Sequence, residues 1–273
     1  FDWPKYDRVS ESPEAVEHMQ YEYAALLTQC DHYLGKVLDA MDKYSLWDDT
    51  MLIVMTDHGF LLGEHDWWAK MRMPMYDEIA NIPFFVWDPR VGKAGERRKS
   101  LTQTIDVAPT LLDYFDIDIP QDMMGVPLRG VVEGDTPVRE YGIYGLFGGH
   151  VNITDGRHVY MRAPGAGNGP LNHYTLMPTH MRSPFRKEEL RQMTVHEPLS
   201  FTKGCPVMQI PSQISPVDAD DFVTKLFDKQ TDPGQENPLS DAALETDMVS
   251  KLVEAMHLSD APPEQFERLE LDA

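Results

Sequence analysis

The sequence predicts an α/β fold with a smaller antiparallel β lobe at its C-terminal end. Three observations carry this expectation. Apolar residues recur at three- and four-residue spacing from Val16 to Met41, the period of an amphipathic helix. The run Met51 to Met55 is apolar throughout, as in a parallel strand covered on both faces, and Ile82 to Trp87 reads as a second buried strand. Beyond about residue 138 the pattern breaks into short segments around Asp155-Gly156, a hairpin signal.

Ser12-Pro13-Glu14 starts the first helix: a hydroxyl cap, a proline in the first turn, and an acid near the positive end of the dipole. The helix is expected to end near Lys43-Tyr44, with Cys30 a small core residue on its apolar stripe. Asp48-Asp49 turns the chain into the first strand, and Asp88-Pro89 closes the second. The basic segment Arg90 to Lys99 reads as a surface loop. Thr104 to Phe115 reads as a second helix, with Asp106 its N-cap and Pro109 in its first turn. Strand and helix in alternation indicate a layered core over residues 1–137. Residues 138–273 are expected to form a smaller α+β subdomain. There, Tyr141 to Phe147, Gly149 to Thr154 and His158 to Arg162 read as antiparallel segments, and Ala163 to Gly169 as a loop. Ser183-Pro184 is expected to start a short helix, and Ser240 to cap a longer one carrying Leu244, Met248, Leu252 and Met256 on one face. The acidic tail from Pro262 is expected to fray.

Composition limits the function. The 273 residues carry 24 Lys and Arg against 45 Asp and Glu, a formal charge of -21. That balance argues against a nucleic-acid partner, whose phosphates need clustered cations, and against an anionic membrane surface. An anionic substrate remains open, because a bound cation reverses the local field inside a pocket. No run of about 18 apolar residues occurs, so no membrane span is expected. The two cysteines, Cys30 and Cys205, are too few and too distant to make a disulfide framework.

The chemistry concentrates after the first strand. Asp57, His58 and Gly59 follow the apolar run directly, then Gly63, Glu64, His65 and Lys70. A carboxylate and a neutral imidazole together suit a divalent cation. Adjacent strand residues face opposite sides, so both reach one ion only if the chain leaves strand geometry, which Gly59 makes easy. By itself the pair also reads as a strand-end Asp beside an unrelated His. The titratable groups and Trp67-Trp68 just downstream give the loop a functional character. Lys70 is suited to place a point charge on an ester oxygen.

The run from Thr56 to Lys70 resembles the second signature of the sulfatases in the alkaline-phosphatase superfamily, in which Asp-His-Gly or Asp-Asn-Gly precedes Leu-Gly-Glu-His and a lysine. The flanks agree in order. The helix from Tyr21 to Met41, the Ile82-Pro83 strand entry, the Asp106-Val-Ala-Pro-Thr-Leu-Leu112 helix, the Met124-Gly125-Val-Pro-Leu128 turn and the closure from Lys225 to Leu239 are each similar to family segments. The resemblance implies an alkaline-phosphatase-like mixed sheet flanked by helices, present in part. It implies a sulfatase hydrolysing a sulfate monoester, with a phosphonate or phosphate ester hydrolase of the same superfamily as the alternative. Asp57 and His58 then correspond to metal ligands, calcium being the usual ion and Mn2+ or Zn2+ the alternatives. Lys70 and His65 are the catalytic candidates, and His173, in the segment from Asn172 to His180, is a candidate for substrate binding.

Three family elements have no match: the early Asp-Asp metal pair, a His-containing segment and the nucleophile motif. The family's nucleophile is a formylglycine made from a Cys or Ser in a Cys/Ser-x-Pro/Ala-x-Arg element. Neither Cys30-Asp-His-Tyr33 nor Cys205-Pro-Val-Met208 fits that pattern, and Ser183-Pro-Phe-Arg186 has the wrong spacing. With a start at Phe1, the expectation is the C-terminal portion of a longer enzyme, catalytically incomplete alone. Its expected partners are a small-molecule or saccharide sulfate ester and the N-terminal half of the same enzyme. An uncovered sheet face would also favour a homo-oligomer. Nothing in the sequence indicates a compartment.

Overall fold

A computed structural model describes residues 5–180, 182–212 and 221–272. In chain order the helices are α1 (Pro13–Lys43), α2 (Asp77–Ala80), α3 (Val107–Tyr114), α4 (Arg129–Gly134), α5 (Lys187–Leu190), α6 (Ala242–Leu258) and α7 (Pro263–Arg268). The strands of the first hundred residues are β1 (Leu52–Met55), β2 (Leu61–Leu62), β3 (Trp68–Ala69) and β4 (Phe84–Trp87). After them come β5 (Gly142–Gly145), β6 (Val151–Thr154), β7 (His158–Arg162), β8 (Asn172–Thr175), β9 (Thr194–His196), β10 (Val207–Pro211) and β11 (Lys225–Asp228). The chain divides into two compact units, Phe1–Ser100 with Pro127–Val138, and Leu101–Val126 with Arg139–Ala273. The class is mixed α/β.

In the first unit, α1 begins as its sequence dictates. The Ser12 hydroxyl accepts from Ala15 N at 3.4 Å, with Pro13 and Glu14 in the first turn and Lys43 in the last. At 31 residues it is about 46 Å long. Its buried residues are Met19 and Met41, and Met19 joins Trp68 and Ala69 in a small core with Val16, Phe60 and Leu62. Of the rest of the predicted apolar stripe, Val16, Tyr23 and Leu34 are half-buried, whereas Leu26, Leu27, Val37 and Leu38 are exposed, and so are Cys30 and the nearby Tyr33. The expectation of a core cysteine is thereby corrected. Periodicity marks the face a helix is able to bury, and the described residues of this unit cover only parts of that face.

β1 and β4 pair antiparallel, Ile53 opposite Val86 and Val54 opposite Phe85. The expected parallel, doubly covered β1 is corrected on both counts, since it pairs antiparallel and is half-buried along its length, and the expected burial of β4 is corrected by Phe85, which is 66% exposed. An unbroken apolar run carries no information about strand direction. Asp88 ends β4 by pairing with Arg90 at 2.7 Å. Residues 127–138 return to this unit, where Arg98 donates to the carbonyls of Val131 and Val132 and Asp135 accepts from the amides of Lys99 and Ser100.

The second unit holds an antiparallel sheet ordered β11-β7-β6-β5, with α6 packed against β5, β6 and β7. The Asp155-Gly156 hairpin joins β6 to β7 as expected. Gly156 takes φ 93°, and the Asp155 carboxylate accepts from the amides of Arg157 and His158. Met248, Leu252 and Met256 of α6 meet Ile153, Tyr160 and Leu226 in the core, with Leu244 at its margin. The N-cap of α6 is Asp241, whose side chain accepts from Ala243 and Leu244, rather than Ser240. The tail does not fray through Leu269. It forms α7 and buries Phe266 and Leu269, because two large apolar groups reach the same core. A three-stranded sheet, β8-β10-β9, completes the unit.

Asp106 stands at the N-cap position of α3 as expected, but its side chain makes no capping bond to that helix. It has helical backbone angles and no exposure; its carboxylate accepts from Gln103 N at 2.7 Å and Val126 N at 2.9 Å, and pairs with Arg139. Among the described residues, no helix is long and apolar enough to cross a membrane.

Candidate functional site

β1 delivers Thr56 to Gly59 to the end of the β1–β4 pair. The Thr56 hydroxyl donates to His58 O at 3.1 Å and Asp57 Oδ1 lies 3.4 Å away, so the chain folds back on itself and leaves strand geometry. Both side chains then point to one place: His58 Nε2 lies 3.4 Å from Asp57 Oδ2. Gly59 is essential here through close approach rather than an unusual φ. Its amide donates to Ile79 O at 2.8 Å, and a Cβ on it would sit 1.7 Å from Glu78 O. This contact locks the site loop onto α2.

Lys70 returns to the same place through the β2–β3 hairpin. Its Nζ contacts His58 Nε2. His58 Nδ1 lies 2.8 Å from Gly59 O, which requires a donor at Nδ1 and leaves Nε2 as the unprotonated nitrogen. Asp57 is 84% exposed at its side chain. Partial desolvation acts to raise its pKa, but His58 in its protonated form, the Lys70 charge and the amides of Asp57 and His58 hold it below the usual carboxylate value. Lys70 sits between Ala69 (φ 75°) and Met71 (φ 86°), and His65 (φ 54°) and Asp66 (φ 64°) are left-handed as well. Four such residues in seven positions are unusual outside glycine, and each costs on the order of 1 kcal/mol. Strain of this density collects where a loop is held for a purpose.

His65 is placed differently. Its ring stacks on Tyr76 at 3.6 Å and 8°, and its Nε2 faces Glu78 Oε2 at 3.4 Å, with only 10% of the side chain open. Burial acts to raise the Glu78 pKa, but His65 holds it below the ordinary glutamate value. His65 thus braces α2, the element against which Gly59 docks, while Asp57, His58 and Lys70 meet one another. Tyr76 and Glu78 are residues that sequence reasoning missed, and no spacing signal links them to His65.

His173 belongs to the second unit. Its ring stacks on Phe147 (4.7 Å, 17°) and meets Phe185 and His180 edge-on at 5.5 and 5.4 Å. Burial first, and then the neighbouring His180, lowers its pKa. His180 Nε2 is bonded to Glu189 Oε1 at 3.0 Å.

Asp57 and His58 fit a divalent cation as two donors, one hard oxygen and one imidazole nitrogen in the right tautomer, convergent within one coordination shell. Among the described residues no group of three His, Cys, Asp or Glu side chains is arranged to hold a metal ion.

Comparison with known proteins bears on this segment. Residues 2–117 match the family model described as Sulfatase. An N-acetylglucosamine-6-O-sulfatase of Bacteroides thetaiotaomicron is 34% identical over 125 residues, which are 44% of this chain and 22% of that protein. A phosphonate monoester hydrolase from Silicibacter pomeroyi superposes with a TM-score of 0.61 at 20% identity, over 94% of this chain and 44% of that one. A protein solved with its substrate D-glucosamine-2-N,6-O-disulfate superposes with a TM-score of 0.58 at 20% identity, over 86% and 39%. The chain thus spans about a fifth of the curated relative and about two fifths of the solved ones. The structural likenesses establish the fold.

Proposed function

We propose that this chain forms part of a sulfate-ester hydrolase centre, a reading supported by the match of residues 2–117 to the family model described as Sulfatase. The observation that supports the reading is the meeting of Asp57, His58 and Lys70 at the end of β1, with Lys70 Nζ on His58 Nε2. Asp57 and His58 would hold a divalent cation, calcium first and Mn2+ or Zn2+ as alternatives. When bound, that cation would orient a nucleophile and offset charge on the ester oxygens. Lys70 donates to an ester oxygen and stabilises the negative charge that grows there as the S–O bond breaks. His65 acts as a positioning residue through Glu78 and α2. His173 is not used in this scheme, since Phe147, Phe185 and His180 account for its ring. Trp67 and Trp68, 3% and 1% exposed, stiffen the loop that presents Lys70.

The reading places the formylglycine nucleophile outside these 273 residues, so the purified chain should bind metal and show no turnover. Calcium titration followed by calorimetry should give one site that Asp57→Asn removes; an unchanged isotherm would remove the metal assignment. Turnover of 4-nitrophenyl sulfate by homogeneous chain would place the nucleophile within it. The substrate class is a small-molecule or saccharide sulfate ester. The same three groups would serve a phosphonate or phosphate ester, and a parent enzyme that prefers an aryl phosphonate monoester to the sulfate would overturn the first choice.

A further inference from the structure

The second unit contains a pocket of about 370 Å³ whose lining includes Leu146, Phe147, Pro262, Gln265 and Arg268. Its volume falls in the range of small-molecule sites. Arg268 is 3% exposed. Its Nε donates to Gln265 Oε1 at 2.9 Å, and its Nη1 to Gly149 O and Asn168 Oδ1 at 3.0 and 3.1 Å. All three acceptors are neutral, and Nη2 makes no bond among the described residues. Burial pulls the guanidinium pKa down to about 10, with no carboxylate holding it up. Glu264, on the same short helix, turns its Oε1 to Asn172 and Tyr174.

A buried cation is costly unless an anion accompanies it. Arg268 has hydrogen bonds but no counter-charge, and it stands beside an apolar-walled space of ligand size. Guanidinium also matches planar or tetrahedral oxyanions in geometry. We propose that this pocket binds a small organic oxyanion, its charged group on Arg268 and its apolar body against Leu146, Phe147 and Pro262. The site stands independently of the Asp57 and Lys70 assignment.

The test is calorimetric titration of the whole chain, without divalent metal, using benzoate, phenyl sulfate, the neutral analogue benzyl alcohol, and inorganic sulfate. The two aryl anions should bind at least about tenfold more tightly than either benzyl alcohol or inorganic sulfate. Arg268→Met should weaken the aryl anions about tenfold and leave benzyl alcohol unchanged, and Arg268→Lys should recover part of the loss. Phe147→Ala, at a position 41% exposed, should weaken both aryl classes without touching the charge. Asp57→Asn and Lys70→Ala should leave the affinity for benzoate, which is no sulfate ester, unchanged. Equal affinity for benzoate and benzyl alcohol, absence of binding by every probe, or full anion binding by a folded Arg268→Met chain would each overturn the proposal.

Discussion

Gly59 and Glu78 are packed backbone to backbone, so closely that a single methyl group on Gly59 would lie 1.7 Å from the Glu78 carbonyl oxygen. That contact positions the Asp57–His58 turn on α2. Gly59→Ala must therefore push the two apart and break the Gly59 N to Ile79 O bond. The expected cost is on the order of 2–4 kcal/mol in urea unfolding. Calcium affinity should fall with it, because the two donors lose their common orientation. A variant of unchanged stability would show that the loop is free to move away from α2.

His150 makes stability depend on pH. It is 1% exposed, its Nε2 bonds Val223 O at 2.8 Å, and burial brings its pKa from 6.5 to about 4. The folded state thus resists protonation that the unfolded chain accepts. This contribution is whole above pH 6.5 and is lost as pH falls toward about 4. The loss is on the order of 3 kcal/mol at its limit. Denaturation midpoints followed through that window should decline in the wild type and decline less in His150→Gln. Parallel curves would assign the decline to other groups.

Asp106 and Arg139 form a buried pair, with side chains 0% and 12% exposed. Asp106→Ala would strip two amides and a guanidinium of their acceptor. About 3–5 kcal/mol should be lost, whereas Asp106→Asn should cost less because it keeps an acceptor. A double-mutant cycle with Arg139→Met separates the pair from the amide bonds. Coupling near zero would reduce Asp106 to a loop cap.

The stripe Leu26, Leu27, Tyr33, Val37 and Leu38 on α1 exposes apolar surface of a kind that associates in water. Sedimentation should show self-association that rises with concentration and falls in Leu27→Glu combined with Leu38→Glu. A monomer at all concentrations would count against it.

Much of the site was legible before folding. The end of β1 at Asp57-His58-Gly59 and the later Lys70 stand out as ligand and charge types after an apolar run. The meeting of Lys70 with His58 was not, because it depends on a hairpin whose left-handed residues, His65, Asp66, Ala69 and Met71, are not residue types that announce such a backbone. Nor was the role of His65, which is defined by Tyr76 and Glu78 across a loop.

By itself the sequence determined features set by local physics. These are the start of α1 at Ser12-Pro13, its helical period, the Asp155-Gly156 hairpin and the exit from β1, since capping, steric preference and periodicity act over a few residues. Tertiary structure decided the antiparallel pairing of β1 with β4, the uncovered face of α1, the Gly59–Glu78 approach and the burial of Asp106 with Arg139, 33 residues away. Those depend on which surfaces distant segments bring together, and an apolar pattern states only that a surface is able to be covered, not what covers it or from which direction.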